Sequence, residues 1–113
     1  MKQSIIIPYY KNKLELYFSL NLLFKYLPKE VEVIIVANNY NPLELDISFP
    51  NCKILKYNRS LLYSKAANIG VQNATGDIIT LMDQDIFVTN NWYEPLIDKL
   101  LSDPNIGAVS SKM

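Results

Sequence analysis

The sequence predicts an α/β fold built on a doubly wound, mainly parallel sheet. Three observations carry that prediction. The apolar runs Ile5-Ile6-Ile7, Val33-Ile34-Ile35-Val36 and Ile78-Ile79-Thr80-Leu81 lack polar alternation, the pattern of parallel strands covered on both faces. Helical segments stand between them, so strand and helix alternate along the chain. The run from Ile78 ends in Asp83-Gln84-Asp85, two carboxylates at the C-terminal end of a strand, which is where open α/β sheets bind ligands.

Each element has a local reason. Ile5–Ile7 forms the first strand, and Pro8 ends it because proline cannot donate to an interior ladder. Asn12 caps a helix reaching about Leu27, with Glu15 three residues on giving a box-like start. Pro28 stops that helix, since the residue before proline is driven out of α geometry. Val31–Ala37 is the second strand, and Asn38-Asn39-Tyr40-Asn41-Pro42 is dense in turn formers. Leu43 to Asn51 has no clear period and reads as loop with a short helical turn. Lys53–Tyr57 is a third strand, placed near an edge by its lysines. Ser60 caps a helix from Leu61 to about Ala74, which Gly76 closes. The fourth strand then leads to the Asp triplet. Asn90 or Asn91 opens a helix to about Leu101, Pro104 follows, and Ile106 to Ser110 forms a short last strand. The three apolar strands are expected to be buried neighbours.

Composition narrows the function. At 113 residues the chain is a single domain, and half of its residues are hydrophobic, enough for a core. Eleven basic and eleven acidic side chains cancel, so no basic excess points to nucleic acid or an anionic membrane. There is no histidine, which excludes Ser-His-Asp and Cys-His catalysis and histidine zinc sites. The single cysteine, Cys52, reads as a small buried strand residue and suits a reducing compartment. The densest apolar segment, Leu14 to Leu27, is broken by Glu15, Ser19, Asn21 and Lys25, so no transmembrane segment is expected and cytoplasmic placement is the default. The chain stops directly after its last expected strand, which reads as a truncation. A sheet cut there exposes apolar surface and invites self-association.

Asp-x-Asp also arises by chance, with the acids only capping turns. Its place after a buried strand argues for more, because adjacent anions need a cation or donors to offset their repulsion, and a hard divalent ion takes oxygen ligands. Tyr9, Tyr10, Tyr57 and Trp92 are aromatics of core or interface type; Tyr9 and Tyr10 follow a strand and are also placed to touch a ligand. Lys65 reads either as solvated or as a charge near phosphates. Asn68 sits in an apolar helix, where a half-buried amide needs partners. Gly70 permits close helix-on-sheet packing. Neither a GxGxxG nor a P-loop can be formed from Gly70, Gly76 and Gly107. An aspartyl phosphotransferase or a receiver domain would carry acids after the first strand, where Pro8-Tyr9-Tyr10 stands instead.

Four segments together resemble the family 2 glycosyltransferases of the GT-A fold. They are Ser4-Ile5-Ile6-Ile7-Pro8-Tyr9-Tyr10-Lys11-Asn12; Glu32-Val33-Ile34-Ile35-Val36-Ala37-Asn38-Asn39; Ser64-Lys65-Ala66-Ala67-Asn68-Ile69-Gly70 with Ala74-Thr75-Gly76-Asp77-Ile78-Ile79; and Asp83-Gln84-Asp85. They cover nearly the whole chain in the family's order. The resemblance implies a Rossmann-like half of the GT-A fold and inverting transfer of a sugar from a nucleoside-diphosphate donor to a glycan, lipid-linked or other hydroxyl acceptor, with Mg²⁺ or Mn²⁺. It implies that Asp85 binds the metal, that Asp83 lies near the ribose or sugar and reaches the metal, and that Pro8, Tyr9, Tyr10, Asn38, Asn39, Lys65, Asn68 and Gln84 surround the donor. The family's acidic pair after the second strand is Ala37-Asn38 here, and an amide both donates and accepts where the acid would only accept. Glu94, Asp98 and Asp103 do not suit the catalytic base, so that base and the acceptor half are expected beyond Met113, where peripheral attachment to the inner face of a membrane would also reside. A non-catalytic α/β module that binds a nucleotide or a protein, with a vestigial Asp pair, is the alternative from another class.

Overall fold

The structure is a computed structural model that describes residues 2–38 and 48–110. Its elements run β1 (Gln3–Tyr9), α1 (Lys13–Tyr26), β2 (Glu32–Ala37), β3 (Cys52–Lys56), α2 (Tyr63–Asn73), β4 (Ile78–Leu81) and α3 (Tyr93–Leu101). The four strands form one parallel sheet in the order β3-β2-β1-β4, the Rossmann-like layout expected. β1 is central: Ile5 lies opposite Val33 of β2 on one side and Thr80 of β4 on the other.

Period-2 alternation divides the core between the two faces of the sheet. Ile5, Ile7, Val33 and Ile35 pack with Leu16, Leu20 and Leu23 of α1 and with Tyr93 of α3. Ile6, Ile34 and Val36 face the other way, onto Leu61 and Ala66 at the start of α2. Helices therefore cover both faces, which is why β1 and β2 read as unbroken apolar runs. A Cβ on Gly70 of α2 would collide with Ile6 Cγ2 and crowd Val36 Cγ2, so this glycine sets how closely helix and sheet approach.

Several local expectations change. Pro8 lies inside β1 rather than ending it: β4 pairs only as far as Leu81 opposite Ile6, so the missing N–H of Pro8 leaves no β4 partner wanting. Asn12 caps α1 as expected, its Oδ1 accepting from Glu15 N at 3.2 Å, but the Glu15 carboxylate accepts from Gln84 instead of reaching back to the cap. Leu27 is extended, as the residue before Pro28 must be. α2 begins at Tyr63 with no side-chain cap, not at Leu61 under Ser60, because the Leu61 backbone is bound to Asn38 and held out of the helix. α3 begins at Tyr93 rather than directly after Asn90 or Asn91, and also lacks a side-chain cap. No strand forms over 106–110, where none of the four strands supplies a ladder. β4 is not fully buried: within the described sheet it is an edge strand, and Ile79 and Leu81 are exposed. Residues 39–47, including most of the turn after β2 and much of the expected loop, lie outside the described residues.

The end of the sheet opposite the strand C-termini is held by a small polar latch. Glu32 Oε1 accepts from Ser4 Oγ at 2.8 Å, Thr75 N at 3.0 Å and Thr75 Oγ1 at 3.2 Å, while Lys53 Nζ stands 3.8 Å from its other oxygen. Ser4 Oγ in turn accepts from Gly76 N at 2.9 Å. Burial opposes ionisation of this carboxyl, but the Thr75 and Ser4 donors and the Lys53 ammonium together outweigh it and hold its pKa below the ordinary glutamate value. A depressed folded pKa gives stabilisation that is fully present above the unfolded value of about 4.3 and is lost as pH falls through the folded value. Glu32→Gln is expected to cost about 1 kcal/mol at neutral pH and to flatten the acid limb of the Tm-against-pH curve. Identical acid limbs in the two proteins would deny Glu32 this role.

Candidate functional site

The chain leaves β1 toward β2 and β3 on one side, then crosses back to place β4 on the other. The sheet order therefore reverses between β1 and β4, the position at which α/β sheets open a crevice beyond their strand ends. A cavity of about 690 Å³ lies there, within the range of small-molecule sites.

Its walls come from five places. Pro8, Tyr9 and Tyr10 arrive from the end of β1, with Tyr9 buried and Tyr10 exposed. Asn38 follows β2 and Glu15 comes from the first turn of α1. Leu61, Tyr63 and Ala66 form the α2 side. Asp83, Gln84 and Asp85 complete it from the turn after β4, where Met82 N still donates to Ile6 O at 2.9 Å and so fixes the point of departure.

Of the residues expected around a ligand, Pro8, Tyr9, Tyr10, Asn38, Asp83, Gln84 and Asp85 meet at this cavity. Lys65 and Asn68 do not line it; both are exposed, so Asn68 is not the half-buried amide expected. They lie on α2, whose inward face carries Ala66, Ala67 and Gly70. Asn39 lies outside the described residues.

The side chains differ in how much hydrogen-bonding capacity they keep. Asn38 Nδ2 donates to Leu61 O at 2.5 Å and Asn38 Oδ1 accepts from Leu61 N at 2.6 Å, tying the end of β2 to the approach to α2. One donor hydrogen and one lone pair remain on that amide. Gln84 Oε1 accepts from Tyr10 N at 2.7 Å, while Nε2 donates to Lys11 O at 2.9 Å and Glu15 Oε1 at 3.0 Å. Its amide faces protein rather than open cavity. Tyr63 OH donates to Asp83 Oδ1 at 2.8 Å. Partial desolvation, then the Asp83 acceptor and its negative charge, push the Tyr63 pKa up to about 12, so it stays a proton donor near neutral pH.

Glu15, Leu61, Tyr63 and Ala66 line the cavity without having been expected there. An aromatic at the start of a helix carries no sequence signal for a ligand, and Leu61 contributes through its backbone. Cys52 stands away from the cavity, and burial pushes its thiol up to about 11, in keeping with a structural strand residue. Among the described residues no three acidic, cysteine or histidine side chains gather as a self-sufficient metal site. Nor is any described helix long and apolar enough to cross a membrane.

Fold and site thus define a Rossmann-like α/β domain with paired carboxylates in a cavity at the C-terminal end of its strands. Residues 4–113 match the family described as Glycosyl transferase family 2, and the chain belongs to that family. Polypeptide N-acetylgalactosaminyltransferase 5 of Rattus norvegicus is 35% identical over 52 residues, 46% of this chain and 6% of that protein, and the Mus musculus protein of the same name matches equally. Among solved structures, S. aureus TarS 1-349 superposes with a TM-score of 0.66 at 25% identity, covering 88% of this chain and 31% of that one. A second S. aureus TarS structure gives a TM-score of 0.58 at 27% identity over 75% of this chain and 17% of its own. The chain therefore spans less than a third of these relatives' lengths.

Proposed function

We propose that this chain forms the donor-binding part of a glycosyltransferase that moves a sugar from a nucleoside-diphosphate sugar to an acceptor hydroxyl with inversion. The observation that carries the proposal is the meeting of Asp83 and Asp85 with the β1 turn at the point where the strand order reverses. Family membership supports it.

The donor set suits a hard divalent cation such as Mg²⁺ or Mn²⁺. Such an ion is commonly held by one or two carboxylates and completes its shell with substrate phosphates, which matches a pair of aspartates that no third acidic side chain joins as a metal cluster among the described residues. Asp85 is the principal ligand in this reading. Asp83, with Oδ1 engaged by Tyr63, keeps Oδ2 for the metal or for a ribose or sugar hydroxyl. Held there, an ion would supply Lewis-acid neutralisation of the leaving diphosphate's charge. Tyr9 and Tyr10 wall the nucleoside, and Asn38 offers its remaining donor and acceptor to the base, Leu61 having fixed its plane. Asn39, Lys65 and Asn68 hold secondary places: the first adjoins Asn38 in sequence, and the two on α2 would reach a donor only at its outer rim.

In the transfer, the acceptor oxygen bonds to the anomeric carbon as the bond to the diphosphate oxygen breaks, and that electron pair leaves with the diphosphate. The acceptor proton passes to a base that we assign to the acceptor-binding part of the protein, outside residues 1–113. The domain division, cytoplasmic placement and peripheral membrane contact belong to the same proposal.

The test titrates residues 1–113 with UDP, GDP and their sugar conjugates, with and without Mn²⁺, and assays transfer. Metal-dependent binding with transfer slower than that of the full-length gene product by about 10²–10⁴-fold is expected, the contribution of a placed general base. Robust transfer by residues 1–113 alone would overturn the assignment of the base, and no binding of any nucleotide would overturn the donor site.

A further inference from the structure

Gln84 sits between the two aspartates, yet its amide is taken up by hydrogen bonds to the protein itself. Its three hydrogen bonds reach Tyr10 N, Lys11 O and the Glu15 carboxylate, so one side chain spans the turn after β4, the turn after β1 and the first turn of α1. The segment it grips is unusual: Lys11 and Asn12 both have left-handed backbone, with φ of 55° and 64°. Consecutive non-glycine residues there are disfavoured and persist only where surrounding contacts fix them. The Asn12 cap holds the far end of this segment onto α1, and Gln84 holds the near end.

We propose that Gln84 is a positioning residue that sets the distance and orientation between the Asp83/Asp85 turn and the Tyr9-Tyr10 wall, and thereby the affinity of the site for a metal-bound nucleoside diphosphate. The proposal rests on the donor-site reading given above. The chemistry of the side chain is specific. Oε1 must accept from a backbone N–H while Nε2 donates to two oxygens, one of them a carboxylate. An amide satisfies all three at once, whereas a carboxylate would set an anion against Glu15 and the Lys11 carbonyl.

The experiment compares wild type, Gln84→Ala, Gln84→Glu and the exchange E15Q/Q84E. Each is titrated with Mn²⁺ plus whichever of UDP and GDP the wild type binds more tightly, and Tm and amide hydrogen exchange at Tyr10 are recorded in parallel. Loss of the amide's bonds is expected to weaken binding by about tenfold in both single variants. The exchange restores a donor facing an acceptor between positions 15 and 84 and should recover part of the loss seen in Gln84→Glu, a rescue that general destabilisation would not produce. Tyr10 amide exchange should accelerate in Gln84→Ala while that of Ile6 stays protected. Unchanged affinity in the single variants, or unchanged Tyr10 exchange, would overturn the positioning role while leaving the donor site standing. Failure of the wild type to bind either nucleotide would overturn the donor site and this proposal with it.

Discussion

Replacing Asp85 with alanine is expected to weaken Mn²⁺-dependent binding of a nucleoside diphosphate by about 100-fold or more, because among the described residues no third acidic, cysteine or histidine side chain gathers with the Asp83/Asp85 pair to compensate. Asp85 is exposed at the cavity, so the substitution should leave Tm within about 1–2 °C of wild type. Asp103→Ala is the matched control. Asp103 stands away from the cavity, in the turn after α3, where its Oδ1 accepts from Asn105 N at 2.9 Å. Calorimetric titration with and without Mn²⁺ separates the two. Equal loss in both variants, or none in either, would remove the metal from Asp85.

Gly76→Ala is expected to cost about 3 kcal/mol, with a Tm lower by roughly 10–15 °C. The cause is not backbone strain, since no described glycine has a positive φ. A Cβ at 76 would stand 2.6 Å from Ser4 Oγ, 2.7 Å from Ser4 N and 2.8 Å from Gln3 C. Two of those are backbone atoms of central β1 and cannot swing aside. The same displacement would break the bond from Gly76 N to Ser4 Oγ and, through it, disturb the Glu32 latch. Thermal unfolding of the variant measures this directly, and a loss below about 1 kcal/mol would show that β4 can shift away from β1 without cost.

These two positions show how differently a motif can be read. Thr75-Gly76-Asp77 and Asp83-Gln84-Asp85 both flank β4, and sequence likeness treats them as parts of one signature. In space they lie at opposite ends of the strand. The first ties the chain to the start of β1, where Asp77 N donates to Lys2 O at 2.7 Å, and the second meets the cavity.

Sequence by itself determined the sheet class, the central strands and the cap of α1. Each follows from a short-range cause: continuous apolar runs demand two covered faces, Asn12 offers an oxygen to Glu15 N, and Pro28 forces Leu27 out of the helix. The placement of Asp83 and Asp85 at the C-terminal end of the sheet follows from strand direction alone. Only the tertiary structure decided the rest. Pro8 is tolerated within β1 because β4 has already departed. Leu61 is withheld from α2 because Asn38, distant in sequence, occupies its backbone. Ile79 and Leu81 are exposed because β4 is an edge of the described sheet, a property of strand order that no local pattern encodes. Whether Gln84 and Asn38 face a ligand or the protein was equally illegible, since an amide's partners are set by which backbone groups the fold brings within about 3 Å.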